Sequence, residues 1–159
     1  MKKTQKPMLV PVAAVLAAVL AALALWRFLP RAFSARLPDA PESVTASVMT
    51  SGIGELSSIT LEEPADSSEV LSILAKMKVR PGLRNLLPVL PRSYTESGSL
   101  ETVSVYITAG KQSLIVTVYE SGAVTLIRVN DPGVPVFHLT DQTLRAQLVS
   151  YIAQNGIRS

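Results

Sequence analysis

Residues 102–129 read TVSVYITAGKQSLIVTVYESGAVTLIRV and decide the fold of this chain. Polar and apolar side chains alternate in two runs, and a glycine-containing turn at residues 109–112 separates them. A second short turn at Ser121 and Gly122 leads into a third apolar run at residues 123–129. Alternating runs joined by such turns are typical of antiparallel strands. The stretch therefore predicts a meander of three successive strands.

The alternation also predicts which face of the meander is buried, because successive side chains of a strand point to opposite faces. The side chains expected to share an apolar face are Val103, Val105, Ile107, Leu114, Val116 and Val118. An antiparallel sheet of this kind needs a cover on its apolar face and tolerates water on the other.

Two amphipathic helices are predicted to supply that cover. In the first, Asp66 and Glu69 form a capping-box pattern, and the apolar face comprises Val70, Ile73, Leu74 and Met77, with the helix ending near Lys78. In the second, Thr140 or Asp141 is the cap, Gly156 follows the last turn, and the buried side comprises Leu144, Leu148, Tyr151 and Ile152.

A strand at residues 55–61 precedes the first helix, and another at residues 134–139 precedes the second. The predicted fold class is therefore α+β, with element order β-α-β-β-β-β-α and both helices on one face of a small antiparallel sheet. This domain is assigned to residues 51–159. Residues 30–50 contain Pro30, Pro38 and Pro41 among small and polar residues, and we interpret them as an extended linker.

Residues 8–26, MLVPVAAVLAAVLAALALW, carry no charge and are long enough for a helix that spans a bilayer. A cleavable signal peptide is the alternative, since Lys2, Lys3 and Lys6 precede the run. The run exceeds the usual length of a signal-peptide core, which favours a retained signal anchor at residues 8–29 behind a cytoplasmic tail at residues 1–7. The chain has no cysteine to carry a lipid, so lipoprotein attachment is excluded.

The basic residues flanking the anchor do not decide its orientation. Lys2, Lys3 and Lys6 precede it, whereas Arg27, Arg31 and Arg36 follow it. A short N-terminal tail before an anchor and a domain is the usual signal-anchor arrangement. We therefore expect a single-pass protein of the cell membrane with its C-terminal domain outside the cytoplasm.

Charge and composition restrict the partners of the domain. The whole chain carries a net charge of +3, but residues 37–159 hold nine basic and twelve acidic groups, a net charge of −3. A nucleic-acid-binding domain is expected to show the opposite sign. The absence of cysteine excludes disulfides and thiolate metal ligands, which suits a bacterial envelope protein.

One stretch of the domain carries charge of a single sign. Residues 76–92 form a predicted loop with several prolines and no acidic residue. The residues predicted to contact an anionic lipid or wall polymer are Lys76, Lys78, Arg80, Arg84 and Arg92. A solvated surface is the competing interpretation, because the charges are sparse and no aromatic residue lies between them.

Catalytic, cofactor and metal motifs are not found. The only histidine, His138, lies in an alternating strand without a recognisable nucleophile motif nearby, and one histidine without cysteine does not make a zinc set. Asn130 and Asp131 supply too few oxygens for calcium. The chain is therefore predicted not to be an enzyme and to bind no cofactor or metal.

The anchor followed by SSITLEEPADSSEVLSILAKMK and, after the meander, VFHLTDQTLRAQLVSYI resembles small membrane-anchored envelope domains of Gram-positive bacteria that have no known function. The resemblance extends over most of residues 55–154. It implies an extracytoplasmic α+β domain and brings no catalytic residues.

Three functions remain open at this point. The first is a non-catalytic envelope module that binds a protein or an anionic wall or lipid surface. The second is a small enzyme, or an accessory domain of one, that uses His138. The third is helix packing in the membrane through Ala14, Ala18 and Ala22, whose spacing places them on one helix face.

Overall fold

A computed structural model describes most of the chain. The described residues are 9–51, 56–61, 64–86, 94, 96, 98–131 and 133–158. They form an α+β structure with three α-helices and one open, fully antiparallel sheet of nine strands.

Two short 3-10 helices, η1 and η2, accompany the α-helices and strands. In chain order the elements are α1 (Leu9–Phe28), β1 (Arg31–Ala32), η1 (Phe33–Arg36), β2 (Ser43–Ser51), β3 (Leu56–Leu61), α2 (Pro64–Lys76), β4 (Lys78–Pro81), η2 (Leu83–Leu86), β5 (Glu101–Ala109), β6 (Gln112–Tyr119), β7 (Ala123–Arg128), β8 (Val136–Leu139), α3 (Thr143–Asn155) and β9 (Ile157–Arg158). The strand order across the sheet is β1-β4-β8-β7-β6-β5-β2-β3-β9.

One face of the sheet carries the hydrophobic core, and α2, α3 and η1 pack on it. The predicted inward side chains of β5 and β6 are at most 6% exposed, and Val116 at the centre of β6 is fully buried. The helices contribute Val70, Leu74, Leu148 and Ile152 to the same core. The α+β class, the three-strand meander and the two helices on one face are therefore confirmed.

The predicted start of the first helix is wrong. Asp66 lies inside α2, which begins at Pro64. Proline suits the first position of a helix because its missing N–H has no intrahelical acceptor there, and its fixed φ matches the helix. The capping-box pattern at Asp66 and Glu69 therefore falls one turn too late.

The predicted linker at residues 30–50 is also wrong, because most of it belongs to the domain. β2 pairs with β5 on one side and with β3 on the other. Its alternate residues Ala46 and Val48 are buried in the core, and Phe33 of η1 is fully buried. The upstream prolines obscured a strand whose period-two pattern, SVTASVMTS, was present in the sequence.

Four strands were missing from the predicted element order: β1, β2, β4 and β9. β4 occupies part of the segment predicted as a loop at residues 76–92, and it lies between β1 and β8. β9 continues the chain after α3 and pairs with β3. The two-residue strands β1 and β9 were too short to give a periodic signal.

The helix α1 occupies most of the predicted membrane anchor at residues 8–29. Counting only the residues that the structure describes, no helix is long and apolar enough to cross a bilayer. The membrane-spanning role of this segment stays a prediction.

Candidate functional site

The register of the strands shows where the chain arrives from α1. Arg31 of β1 pairs with Val79, which pairs with Leu139. The Leu139 N–H donates to the carbonyl oxygen of Gly122, so Arg31 lies level with the start of β7. Arg128, the last residue of β7, and the β5–β6 turn lie at the other end, which we call the turn end.

A cavity of about 650 Å³ opens at the turn end. This volume is within the usual range for small-molecule sites. The cavity, called the basic cavity below, is lined by Ala35, Arg36, Leu37, Pro38, Ile107, Ala109, Lys111, Gln112, Ser113, Leu114, Arg128, Val129, Asn130 and Asp131.

Arg36 is held in place from the η1 side of the cavity. Burial of Phe33 fixes η1 on the core, and the Phe33 N–H donates to the carbonyl oxygen of Met77 at 2.9 Å. The guanidinium carbon of Arg36 then lies 4.5 Å from the centre of the Phe137 ring. This cation–π stack orients the guanidinium and leaves its N–H groups available at its edge.

The electrostatic surroundings of Arg36 are positive. Its pKa lies below the ordinary value for arginine, chiefly because the half-buried guanidinium is partly desolvated. The positive charges of Arg31 and Arg128 lower this pKa further. Arg31 and Arg128 are therefore each close enough to repel Arg36.

The β5–β6 turn and the end of β7 supply the other two cations of the basic cavity. The turn places Lys111 at the rim, and Gly110 adopts a φ of 58° there, which favours glycine. Arg128 is the last residue of β7, where the Val129 N–H donates to the carbonyl oxygen of Ser113 at 3.0 Å. Both side chains are exposed.

Within the described part of the chain, no carboxylate forms an ion pair with these cations. Asp131 also lines the basic cavity, but its Oδ1 accepts the Gly133 N–H at 3.0 Å. The ion pair that is described joins Arg145 of α3 to Glu101 of β5 and is not part of the cavity lining. The cavity therefore carries a net positive charge, although the domain as a whole is acidic.

The basic residues predicted at positions 76–92 lie in different elements of the structure. Lys76 ends α2, while Lys78 and Arg80 project from β4 on the face opposite the core. Arg84 lies in η2, and Arg92 lies outside the described residues. No single loop carries the set, and its contact with an anionic surface stays a prediction.

His138 is exposed on β8 and lies opposite Arg80 of β4. It lines a cavity of about 510 Å³ together with Phe28, Leu83 and Tyr94. Among the described residues, no group of three or more His, Asp or Glu side chains could hold a metal.

The three anchor alanines, Ala14, Ala18 and Ala22, all lie exposed on α1. A shallow apolar groove on the same helix is lined by Val12, Val15, Leu16 and Val19. Helix packing through the alanines stays a prediction.

Sequence reasoning missed the basic cavity. Arg36 fell in the predicted linker, Lys111 in a turn and Arg128 at a strand end, far apart in the sequence. No motif connects them, because the pairing of β5, β6 and β7 and the docking of η1 bring them together. The one available signal was that Arg31 and Arg36 follow the anchor closely.

Comparisons of this chain with protein-family models, curated proteins and solved structures found no match. The function is therefore inferred from the sequence and from the geometry of the described residues.

Proposed function

We propose that this protein is a membrane-anchored, non-catalytic binding module whose domain lies at the outer surface of a bacterial membrane. The observation that carries the proposal is an apolar helix left uncovered by the domain. In α1, Val12, Leu16 and Leu25 are 64%, 59% and 72% exposed. An apolar surface of this extent is unfavourable in water, and a bilayer would remove it from water.

The length of the uncharged run in the sequence supports the anchor proposal. Residues 8–26 carry no charge, and as a helix that rises about 1.5 Å per residue this run would extend about 28 Å, close to the thickness of a hydrocarbon core. The first charged residue after this run is Arg27, in the last turn of α1.

Trp26 and Arg31 support a membrane boundary at the end of α1. The guanidinium carbon of Arg31 lies 4.9 Å from the centre of the Trp26 ring. Tryptophan is enriched at membrane–water interfaces, where a basic side chain can reach the headgroups. Only Leu29 and Pro30 separate α1 from β1, so we expect the domain to rest close to the bilayer surface.

The non-catalytic part of the proposal rests on the sequence, in which His138 has no recognisable nucleophile motif nearby. The described lining of the basic cavity contains arginine and lysine and no histidine. The arginine and lysine side chains are suited to binding an anion.

Membrane fractionation tests the anchor. The full chain should remain in the membrane pellet after an alkaline carbonate wash, and a chain that starts at Leu29 should not. The double substitution Leu16→Arg and Val19→Arg should release the protein, because each arginine near the centre of a span costs about 2.5–3.5 kcal/mol on insertion scales. Leu100→Arg with Val129→Arg is the matched control, since both residues are exposed in the domain.

Two results would contradict the anchor: a carbonate-soluble parent, or a Leu16→Arg/Val19→Arg variant that stays in the pellet as the control does. Orientation is tested separately by protease treatment of intact spheroplasts. Cleavage of the domain is expected. Protection of the domain would place it in the cytoplasm.

A further inference from the structure

We propose that the basic cavity is a binding site for a phosphate-bearing anion. Arg36 and Arg128 would donate from their guanidinium groups and Lys111 from its ammonium group. For the source of the anion, this inference rests on the proposed function, because Arg36 lies near the membrane only if α1 is inserted.

The positive charge of the basic cavity is not compensated by described carboxylates. Arg36, Lys111 and Arg128 line one cavity, and within the described residues none of them is paired with a carboxylate. Arg31 adds to the positive field at Arg36, as the lowered pKa of Arg36 indicates. An anion in the cavity would replace this mutual repulsion by attraction.

The geometry of the guanidinium and ammonium donors in the basic cavity also favours phosphate. The stack of Arg36 on Phe137 restrains the guanidinium, so less side-chain entropy is lost when it binds. Planar guanidinium groups form paired hydrogen bonds with phosphate oxygens, and lysine adds a point charge. Three cations suit a phosphate, which offers more oxygens and more dispersed charge than a carboxylate does.

The surroundings of Arg36 favour a phospholipid headgroup as the source of the phosphate. Arg36 lies in η1, shortly after α1 ends. Arg31, which lowers the pKa of Arg36, contacts Trp26, the last residue of the uncharged run. With α1 inserted, we expect the Arg36 side of the cavity to lie near the headgroup layer.

The test uses the full chain, labelled with ¹⁵N-arginine, in phosphate-free dodecyl maltoside micelles at constant ionic strength. The measured quantities are the Nε–H resonances of Arg36 and Arg128, assigned by substitution. Three probes are added in separate arms: inorganic phosphate, phosphatidylglycerol mixed into the micelle, and oleate at the same mole fraction. Oleate supplies a negative charge at the micelle surface without phosphate.

We expect phosphatidylglycerol to shift both resonances, with a dissociation constant at least about tenfold lower than that of oleate. The variant Lys111→Gln/Arg128→Gln should weaken binding by at least about tenfold, read at Arg36, because charge-assisted hydrogen bonds are lost. The matched comparison uses single variants. Arg128→Gln should also weaken binding, whereas Arg158→Gln, which removes one charge from an exposed residue that does not line the cavity, should bind as the parent does.

A response to inorganic phosphate alone would support the cavity and assign it to a soluble phosphate compound. No response to either phosphate probe, an equal response to oleate, or a loss in Arg158→Gln equal to that in Arg128→Gln would overturn the inference. A response to inorganic phosphate together with a carbonate-soluble parent would reject the anchor and keep the cavity, so the two proposals fail separately.

Discussion

At the scale of single residues, Asp141 shows how one side chain starts a helix. Its Oδ1 accepts the backbone N–H of Thr143 at 2.9 Å and the Thr143 hydroxyl at 2.6 Å. Thr143 is the first residue of α3, so Asp141 satisfies an N–H that has no partner within the helix. The predicted cap, Thr140 or Asp141, is wrong by position: the N-cap is Gln142, whose side chain forms no capping hydrogen bond, and Asp141 bonds Thr143 from one residue earlier.

These bonds make the stability of α3 depend on pH. The pKa of Asp141 lies below its ordinary value, first because of the Thr143 hydroxyl and second because of the Thr143 backbone N–H. A carboxyl with a lower pKa in the folded state contributes stability above its unfolded pKa of about 3.9. This contribution is lost as the pH falls through the folded value.

Thr143→Val should therefore raise the pKa of Asp141 towards its ordinary value, since the hydroxyl donor is removed. The variant should be less stable than the parent at pH 7, and the difference should vanish below the folded pKa of Asp141. Carboxyl ¹³C titration measures the pKa, and thermal unfolding across the same pH range measures stability. Thr143→Ser keeps the hydroxyl and should behave as the parent; an unchanged Asp141 pKa in the valine variant would contradict the assignment.

At the scale of elements, one asparagine joins η2 to the start of β8. The Asn85 side-chain nitrogen donates to the Val136 carbonyl oxygen at 2.6 Å, and its Oδ1 accepts the Val136 N–H at 2.8 Å. The Gly82 N–H donates to the same carbonyl oxygen, and a β-carbon at Gly82 would lie 2.9 Å from it. Asn85 thus forms the backbone hydrogen bonds with Val136 that a neighbouring strand would otherwise form. Val136 is buried.

Asn85→Ala should lower the free energy of unfolding by about 1–3 kcal/mol, because the buried Val136 N–H would lose its acceptor. Urea unfolding followed by circular dichroism measures the change. Asn155→Ala is the matched control: its side-chain nitrogen also donates to a backbone carbonyl oxygen, that of Tyr151, but on the exposed side of α3. We expect the control to change stability by less than about 0.5 kcal/mol, and an equally small effect of Asn85→Ala would show that water replaces the lost bonds.

At the scale of the whole molecule, β2 connects the two parts of the sheet. It lies between β5, at the edge of the meander, and β3, and it pairs with both along most of its length. Ala46 and Val48 lie in the core beneath the helices, and Phe33 of η1 fills another part of it. The domain therefore begins near the end of α1, well before residue 51.

A fragment of residues 50–159 should accordingly fail to fold as a cooperative unit, whereas residues 29–159 should fold. Removing residues 1–49 takes away β1, η1 and most of β2. Burial of Phe33 and Val48 alone is worth about 1.5–3 kcal/mol each, a large share of the 5–15 kcal/mol typical of a domain. Thermal unfolding and amide chemical-shift dispersion of the two fragments test this, and a melting midpoint of 50–159 within a few degrees of 29–159 would show that the meander folds alone.

The sequence by itself determined those features whose signal is local. The period-two pattern of β5 and β6 predicted their strands and their buried faces, and the helical spacing of Val70, Leu74 and Leu148 predicted the covering helices. The sequence shows these patterns because buried side chains recur with the period of the strand or of the helix that carries them. The same logic was available for β2, and only the prolines before it favoured a linker.

Only the tertiary structure decided the order of the strands and the site at the turn end. β2 and β4 lie on opposite sides of the meander: β2 pairs with the open edge of β5, and β4 pairs with β8, which covers the open edge of β7. Such pairing joins residues far apart in the sequence. Arg36, Lys111 and Arg128 meet through that pairing and through the docking of η1 on the core. Charged residues at turns and strand ends follow no periodicity, so their convergence cannot be read from local pattern and depends on the complete arrangement of the sheet.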